Sequence, residues 1–386
     1  MKRIALLMLS LFVLGTGCAP AYEKNEEVGV ETTEKNQQEK AIVPKYSISE
    51  DYYRPLEKYK PSKSRGVITH QMANRFDIKE MEVGLRRHAK SVFDPKNYFF
   101  QEGQYLTDDI LYDWLDRAKN DAETNGTPNG LNPSVKEDAG EQALRNNPKY
   151  LSHILEQDYL KKNEEGDVVQ LKGMTIGLAM KSQYQFQEEI GGPVLYEDIS
   201  TEEMLKEGKQ IAQTVLERLR KMEDLQDVPI MFAIYREEEK GAMVPGNFVA
   251  KTNVKGSDMK VGAWETIQED HVLFPSEEAS GAHPEDASLI SDLQNDVAEY
   301  FPNYIGVVGK GFYVEDELRE LTITIPIEFK GQTEVIGLTQ YVYSIIVENF
   351  PNYFDLEVNI ESHNGQESLI SRKAGQEEPY VHIYGQ

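Results

Sequence analysis

The chain has 386 residues, which is long enough for two or three domains that each bury a core. Its 66 acidic residues outnumber 41 basic residues and give a net charge of -25, which argues against a nucleic-acid partner because phosphate binding needs a surplus of lysine and arginine. The single cysteine excludes an intramolecular disulfide and a zinc site made of several thiolates.

The first 17 residues have the pattern of a lipoprotein signal peptide. Two basic residues are followed by the apolar segment 4–14, which is too short to span a membrane, since about 20 residues are needed. Three small residues come next, and the only cysteine, Cys18, follows them directly. We predict processing by signal peptidase II and a lipid transferase, and a diacylglyceryl anchor on Cys18 that holds the protein at the outer face of the cytoplasmic membrane.

Residues 18–45 are predicted to be a lipidated cysteine followed by a flexible acidic tether. The segment is rich in Glu, Lys, Gln and Thr and has few large apolar residues. Such a composition buries too little apolar area to offset the entropy lost on ordering. We therefore expect it to hold a globular body away from the membrane.

Residues 46–275 are predicted to form an N-terminal α+β domain that begins with three helices. The first helix begins at Asp77, and the second is capped by Thr107, with acidic residues in its first turn. The third helix begins at Pro148, because proline is tolerated at the first helical position and apolar residues follow at helical spacing.

The same domain then has a strand, a helix and a strand in succession. The first strand runs from Val168 to Met180, and Ser200 caps the helix behind it. The second strand, from Val228 to Tyr235, is nearly continuous in apolar residues, as expected of a buried strand. Gly208 lies on the apolar face of the helix and would let that helix approach a sheet closely.

Residues 276–288 are predicted to be a linker, and residues 289–386 a C-terminal α+β domain. Apolar and polar residues alternate in 321–329 and again in 354–361, which indicates two strands with one buried face each. Pro326 indicates an edge strand or a bulge, because proline cannot donate to a neighbouring strand.

A short internal repeat indicates how this second domain is layered. The sequence EYFPNY at 299–304 recurs as ENFPNY at 348–353, and each copy ends a predicted helix and precedes a strand. Two helices packed alike on one sheet would make a two-layer α/β sandwich. The predicted fold class is therefore α+β, with two globular domains of mixed helices and mainly antiparallel sheet.

Motifs for catalysis or cofactor binding are weak, and we predict no enzyme, no cofactor, no metal and no catalytic residue. The seven histidines are far apart in the sequence, and Ser257 with Lys260 is a spacing expected by chance. The acidic runs 237–239 and 377–378 are interpreted as solvated charges rather than calcium ligands. Tyr184 and Phe186 are candidates for the wall of a ligand cleft, as is the aromatic run 98–100.

Several segments together resemble the CamS sex-pheromone precursor lipoprotein family of low-GC Gram-positive bacteria. They are GVITHQMAN at 66–74, YLSHILEQD at 150–158, GMTIGLAM at 173–180, FAIY at 232–235, GQTEVIGLTQYV at 331–342 and PYVHIY at 379–384. The resemblance implies that the signal peptide is the source of a hydrophobic heptapeptide that acts as a conjugation pheromone. By position, that peptide is Leu11-Phe12-Val13-Leu14-Gly15-Thr16-Gly17.

Three roles remain open for the mature part of the chain. A membrane-anchored binding or interaction module with an unknown ligand or protein partner is the first. A structural envelope protein is the second, and an envelope enzyme with a site assembled from distant residues is the third. A compact pocket with converging polar groups of perturbed pKa would favour the enzyme, and a groove without them would favour binding.

Overall fold

The computed structural model describes residues 26–31, 38–43, 49 and 52–385, apart from 57, 73, 167, 190, 302–303 and 329–330. Helices and mixed sheets form two bodies with separate apolar cores, so the predicted α+β fold class is confirmed. Within the described residues, no helix is both long enough and apolar enough to cross a membrane.

The first body is a three-layer structure with one large sheet. Its helices are α1 (Val67–Gln71), α2 (Arg75–Ala89), α3 (Asp108–Leu115), α4 (Glu141–Asn146) and α5 (Thr201–Leu219). Its strands are β1 (Glu26–Glu31), β2 (Gln38–Val43), β3 (Arg54–Pro55), β4 (Phe99–Glu102), β5 (Thr124–Asn125), β6 (Val135–Lys136), β7 (Leu151–Lys162), β8 (Val168–Met180), β9 (Gln183–Phe186), β10 (Leu195–Asp198), β11 (Ile230–Arg236), β12 (Asn247–Val254) and β13 (Glu265–Thr266). The sheet has the order β13-β12-β11-β8-β7-β4-β3, and β1 joins it beside β8.

The predicted β-α-β unit is confirmed and lies at the centre of this body. Strands β8 and β11 pair in parallel, and α5 connects them. The Ser200 hydroxyl caps α5 by accepting a hydrogen bond from the backbone N–H of Glu203 at 3.2 Å. A Cβ at Gly208 would lie 3.1 Å from the side chain of Ile234, so the glycine does allow a close approach to the sheet.

Both faces of the central strands are covered, which explains their nearly continuous apolar sequence. Met174, Ile176 and Leu178 pack with α5 in one core. The side chains on the opposite face of the sheet pack with α2 in a second core. Met81 and Leu85 of α2 are fully buried there.

The prediction of a flexible tether over 18–45 is wrong for two segments. Strands β1 and β2 pair antiparallel, and β1 also pairs in parallel with β8. Val28, Val30 and Ala41 are buried in a small core with residues such as Val169. Low overall hydrophobicity obscured a local alternation that gives one apolar face, and this face docks on a strand that is already formed.

The helix predicted to begin at Pro148 is also wrong, because residues 151–162 form β7. This strand pairs along its length with β8, with Ile154 opposite Leu178. Its apolar residues fit a helical spacing, but nearly the whole strand is buried because both of its faces are covered. A long-range pairing therefore overrides the local pattern.

The second body is a sheet with helices on one face. Its helices are α6 (Glu277–Ala282), α7 (Pro284–Tyr300) and α8 (Gln332–Asn349). Its strands, in sheet order, are β14 (Glu269–Phe274), β15 (Val308–Val314), β16 (Glu317–Pro326), β17 (Asp355–Ser362), β18 (Gly365–Arg372) and β19 (Tyr380–Ile383). Helices α7 and α8 pack on the same apolar face, so the two-layer arrangement predicted from the repeat is confirmed.

Two details of the second body differ from the prediction. The predicted linker 276–288 is mostly helical and part of the second body, because α6 begins at Glu277 with Ser276 as its cap and β14 already belongs to the second sheet. Strand β16 is not an edge strand, since β15 and β17 flank it. Pro326 is tolerated there because it is the last residue of the strand.

A buried ion network joins the two bodies. The Arg87 guanidinium on α2 is 2.6 Å from a Glu80 oxygen and 3.2 Å from Glu269 on β14. The second Glu269 oxygen is 3.1 Å from His88 Nε2. Arg87 also lies over the ring of Phe312 on β15, at 4.3 Å from its centroid. The network therefore fixes α2 against the first two strands of the second body.

Candidate functional site

The strongest candidate site is a cleft of about 600 Å³ at the carboxyl ends of β8 and β11. In open sheets with parallel strands, ligands commonly bind just beyond these ends, because the connecting segments diverge there and leave a crevice. Lys181 directly follows β8 and Glu237 directly follows β11, and both line the cleft.

The β9–β10 hairpin forms one wall of the cleft. Tyr184 and Phe186 are buried on its inner face and stack at 5.2 Å between ring centroids. The alternation therefore places the glutamines at 183, 185 and 187 toward the cleft, where Tyr196 lies opposite Gln185. Phe186 also contributes to the lining, whereas Tyr184 is buried in the core behind the hairpin, so only one of the two aromatic candidates lines the cleft.

At the inner end of the cleft, Glu237 and Lys181 lie close together but form no direct hydrogen bond. The Lys181 ammonium is 3.9 Å from one Glu237 oxygen and donates to the Ser152 hydroxyl at 3.3 Å. The Glu237 side chain is only 3% exposed, and its other oxygen has no hydrogen-bond partner among the described residues. Burial raises the pKa of Glu237, and Lys181 and the nearby Ser152 hydroxyl partly offset that effect.

This result corrects the interpretation of residues 237–239 as a solvated charge run. Glu237 is buried because its backbone N–H continues the ladder by donating to the carbonyl of Met180, which places its side chain at the closed inner end of the cleft. Only a long-range strand pairing distinguishes it from its two neighbours, so the sequence carried no local signal of its burial.

The loop after β11 forms another wall of the cleft and is held by the first turn of α2. Asp77 accepts hydrogen bonds from the Tyr235 hydroxyl and the Gly246 N–H, both at 2.7 Å, and from the Glu238 N–H at 3.3 Å. Asn74, which caps α2, donates to the carbonyl of Ala242 at 3.1 Å. The predicted helix start at Asp77 is therefore two residues late, because α2 begins at Arg75, and Asp77 holds the cleft loop instead.

Asp77 should make stability depend on pH near neutrality. Burial raises its pKa to about 7, despite the hydrogen bonds from Gly246 and Tyr235. The pKa of Asp77 is higher in the folded state than in the unfolded state. The contribution of protonated Asp77 to the free energy of unfolding is therefore complete below about pH 4 and is lost as the pH rises through 7. The Asp77→Asn variant should lack this dependence, and urea unfolding between pH 4 and 8 would measure it. A difference in the free energy of unfolding that stays constant from pH 4 to 8 would contradict the raised pKa of Asp77.

A second buried acidic group lies on β7, away from the cleft. Glu156 accepts hydrogen bonds from three consecutive backbone N–H groups, those of Gln104, Tyr105 and Leu106, at 2.6 to 3.2 Å. Burial raises the pKa of Asp158 well above its usual value, and the neighbouring Glu156 carboxylate raises it further. Two carboxyl groups that share a proton in this way hold the loop after β4 in place.

The remaining candidates from the sequence are not brought together. Ser257 and Lys260 are exposed in a surface turn. His153 is fully buried, which lowers its pKa to about 3. Across the described ranges, no group of three or more His, Cys, Asp and Glu side chains could hold a metal ion.

The processing residues fall in the part of the chain that the structure does not describe. Cys18 and the candidate peptide Leu11, Phe12, Val13, Leu14, Gly15, Thr16 and Gly17 all lie outside the described residues.

The fold and the cleft define a two-body α+β protein with a polar crevice beside a β-α-β unit. Residues 59–378 match the family described as CamS sex pheromone cAM373 precursor, and the chain therefore belongs to that family. A comparison with curated proteins gives no match.

Two solved structures are similar over most of the chain. One is a crystal structure of a sex pheromone precursor from Lactobacillus salivarius subsp. salivarius UCC118, with a TM-score of 0.80 and 32% identity over 88% of this chain and 98% of that chain. The other is the C-terminal domain of the sex pheromone staph-cAM373 precursor from Staphylococcus aureus, with a TM-score of 0.70 and 32% identity over 82% of this chain and 99% of that chain.

Proposed function

We propose that the protein is a lipid-anchored lipoprotein at the outer face of the cytoplasmic membrane, with a ligand-binding mature part. The observation that carries the anchor is the position of Cys18, directly after an apolar segment and three small residues, as the only cysteine of 386 residues. Signal peptidase II and a lipid transferase act on this site. A diacylglyceryl group supplies two acyl chains, which is enough for stable attachment without further contact between protein and lipid.

The signal peptide has a second role in this proposal. Membership of the CamS family supports release of the heptapeptide at residues 11–17 as a hydrophobic conjugation signal. The peptide carries no charged side chain, which suits passage across envelopes and binding in an apolar pocket. Mass spectrometry of culture supernatant should detect a peptide that ends at Gly17, and its persistent absence would contradict this role.

The cleft supports binding by the mature part rather than catalysis. Its lining combines glutamine amides, aromatic rings and a small number of charged groups, which is the composition of many ligand sites. The buried carboxyl pair and His153 line no part of it. Burial raises the pKa of Glu237 and Glu238, which do line it, and in this proposal these two carboxyl groups bind a ligand and do not transfer a proton.

Lipidation has a direct test in cells. Metabolic labelling with a fatty acid should mark the wild-type protein and leave the Cys18→Ser variant unlabelled, because only the cysteine sulfur can form the thioether. Fractionation should move that variant from the membrane to the soluble fraction. Equal labelling of the two proteins would contradict the proposed anchor.

A further inference from the structure

We propose that the cleft binds the free amino terminus of an extended peptide, with Glu237 as the anchor for its ammonium group. This inference rests on the proposed binding role of the cleft and adds the chemical class of the ligand.

The hydrogen bonding of Glu237 is incomplete. Its side chain is 3% exposed, and one oxygen has no partner among the described residues. Lys181 stays at 3.9 Å from the other oxygen because it also donates to Ser152. Buried carboxylates are normally fully hydrogen-bonded, so a donor is missing at this point. An ammonium group carries three N–H donors and a positive charge, which matches what Glu237 lacks.

The cleft carries more acidic than basic side chains. Glu238 and Glu239 line the cleft beside Glu237, against two cationic side chains, Lys181 and Lys240. The excess of carboxylates gives a negative local potential, which attracts a cation and disfavours a ligand with a net negative charge. The negative potential of the cleft and the unpaired oxygen of Glu237 therefore both favour an ammonium group.

The glutamines on the hairpin have the spacing of an extended peptide. Residues two apart on a strand lie about 6.6 Å apart on the same face, which is also the repeat of an extended peptide ligand. Gln183 donates to Asp198 and Gln187 donates to the carbonyl of Gly192, so their side chains are oriented. The exposed amide of Gln185, between them, has both a donor and an acceptor to offer to a peptide group. Tyr196 adds an aromatic surface that is 48% exposed.

The test uses the mature full-length chain in detergent and a pool of random pentapeptides without cysteine. Three versions of the pool are prepared, with free termini, with acetylated amino termini or with amidated carboxyl termini. Each is equilibrated with the protein and filtered, and mass spectrometry measures the peptides that the protein retains. Acetylation should lower retention at least tenfold, whereas amidation should leave it unchanged. Glucosamine, which has an amine without an extended backbone, should compete at least tenfold less well than the free peptides.

Two variants identify the residue responsible. The Glu237→Gln variant should retain free peptides only at the level of acetylated ones, and the control Glu164→Gln, in the exposed turn between β7 and β8, should behave as wild type. Thermal unfolding would establish that both variants fold. If Glu237→Gln does not fold, the retention of free and acetylated peptides by the wild-type protein tests the ammonium anchor by itself.

The outcomes separate this inference from the proposed function. Equal retention of free and acetylated peptides would overturn the ammonium anchor and leave a binding cleft. Loss of retention on amidation would instead make Lys181 the anchor, for a carboxylate. Retention of no peptide in any form would overturn the inference and contradict peptide binding by the cleft.

Discussion

Replacement of Arg87 by methionine is expected to lower the free energy of unfolding by about 3–5 kcal/mol at pH 7. Arg87 lies between Glu80 and Glu269, and the Glu269 side chain is only 3% exposed. Methionine keeps much of the apolar stem but removes the charge, so two carboxylates in a largely buried site lose their shared partner. The variant should also loosen the contact between the two bodies, since Glu269 lies on β14 of the second body.

The pH dependence of this deficit follows from the same network. Burial raises the pKa of Glu269, but the hydrogen bond from His88 and the charge of Arg87 outweigh burial and bring it below its usual value. Its stabilising contribution is therefore present above about pH 4.5 and is lost as the pH falls. Urea unfolding at pH 7 and pH 4 should show a smaller deficit at the lower pH.

The control is Arg319→Met, which removes an exposed ion pair with Glu317 in the second body. Exposed pairs contribute less than about 1 kcal/mol, so this variant should unfold nearly as wild type does. Equal effects of the two substitutions would show that the interface network contributes no more than an ordinary surface pair.

Replacement of Glu156 by alanine is expected to cost about 3–6 kcal/mol. The substitution leaves the backbone N–H groups of Tyr105 and Leu106 without their acceptor, and each unsatisfied buried donor costs about 1–3 kcal/mol. The Gln104 N–H loses one of its two acceptors and keeps Asp158. The loop after β4 should then open, and amide hydrogen exchange at residues 104–106 would detect the opening directly.

The matched substitution is Asp158→Asn, which should change stability by less than about 1 kcal/mol at pH 7. Because the pKa of Asp158 lies well above its usual value, this carboxyl group is the one that holds the shared proton. Asparagine is also neutral and still offers a donor to Glu156. A large destabilisation by Asp158→Asn, similar to that of Glu156→Ala, would contradict this division of roles.

Local signals in the sequence predicted a large part of the fold. Thr107 and Ser200 cap the helices they were expected to cap, because capping depends on residues within one turn. The apolar run at 168–180 and the alternating residues of β16 and β17 became strands, since continuous or alternating apolar residues specify the burial of a strand directly.

The errors occur where distant segments decide the structure. Residues 151–162 have apolar residues at helical spacing, and only their pairing with β8 makes them a strand. Val28 and Val30 lie in a polar segment, and their burial depends on a core that β8 supplies. Single-sequence patterns contain no information on such pairings.

The candidate site was only partly predictable for the same reason. Tyr184 and Phe186 were candidates for a cleft wall, and Phe186 alone lines the cleft. Their alternation with glutamines is a local signal of a strand with one polar face. Glu237 could not be predicted, because its burial follows from the parallel pairing of β11 with β8. Asp77 was seen as a cap residue, whereas its partners lie some 160 residues away in the chain.

The central claim is that Cys18 becomes the lipidated first residue of the mature protein. The most direct measurement is mass spectrometry of the amino-terminal peptide from the protein purified from membranes. We expect a peptide that begins at Cys18 and carries a diacylglyceryl group on its sulfur. A mature protein that begins at any other residue, or one that keeps residues 1–17 attached, would contradict it.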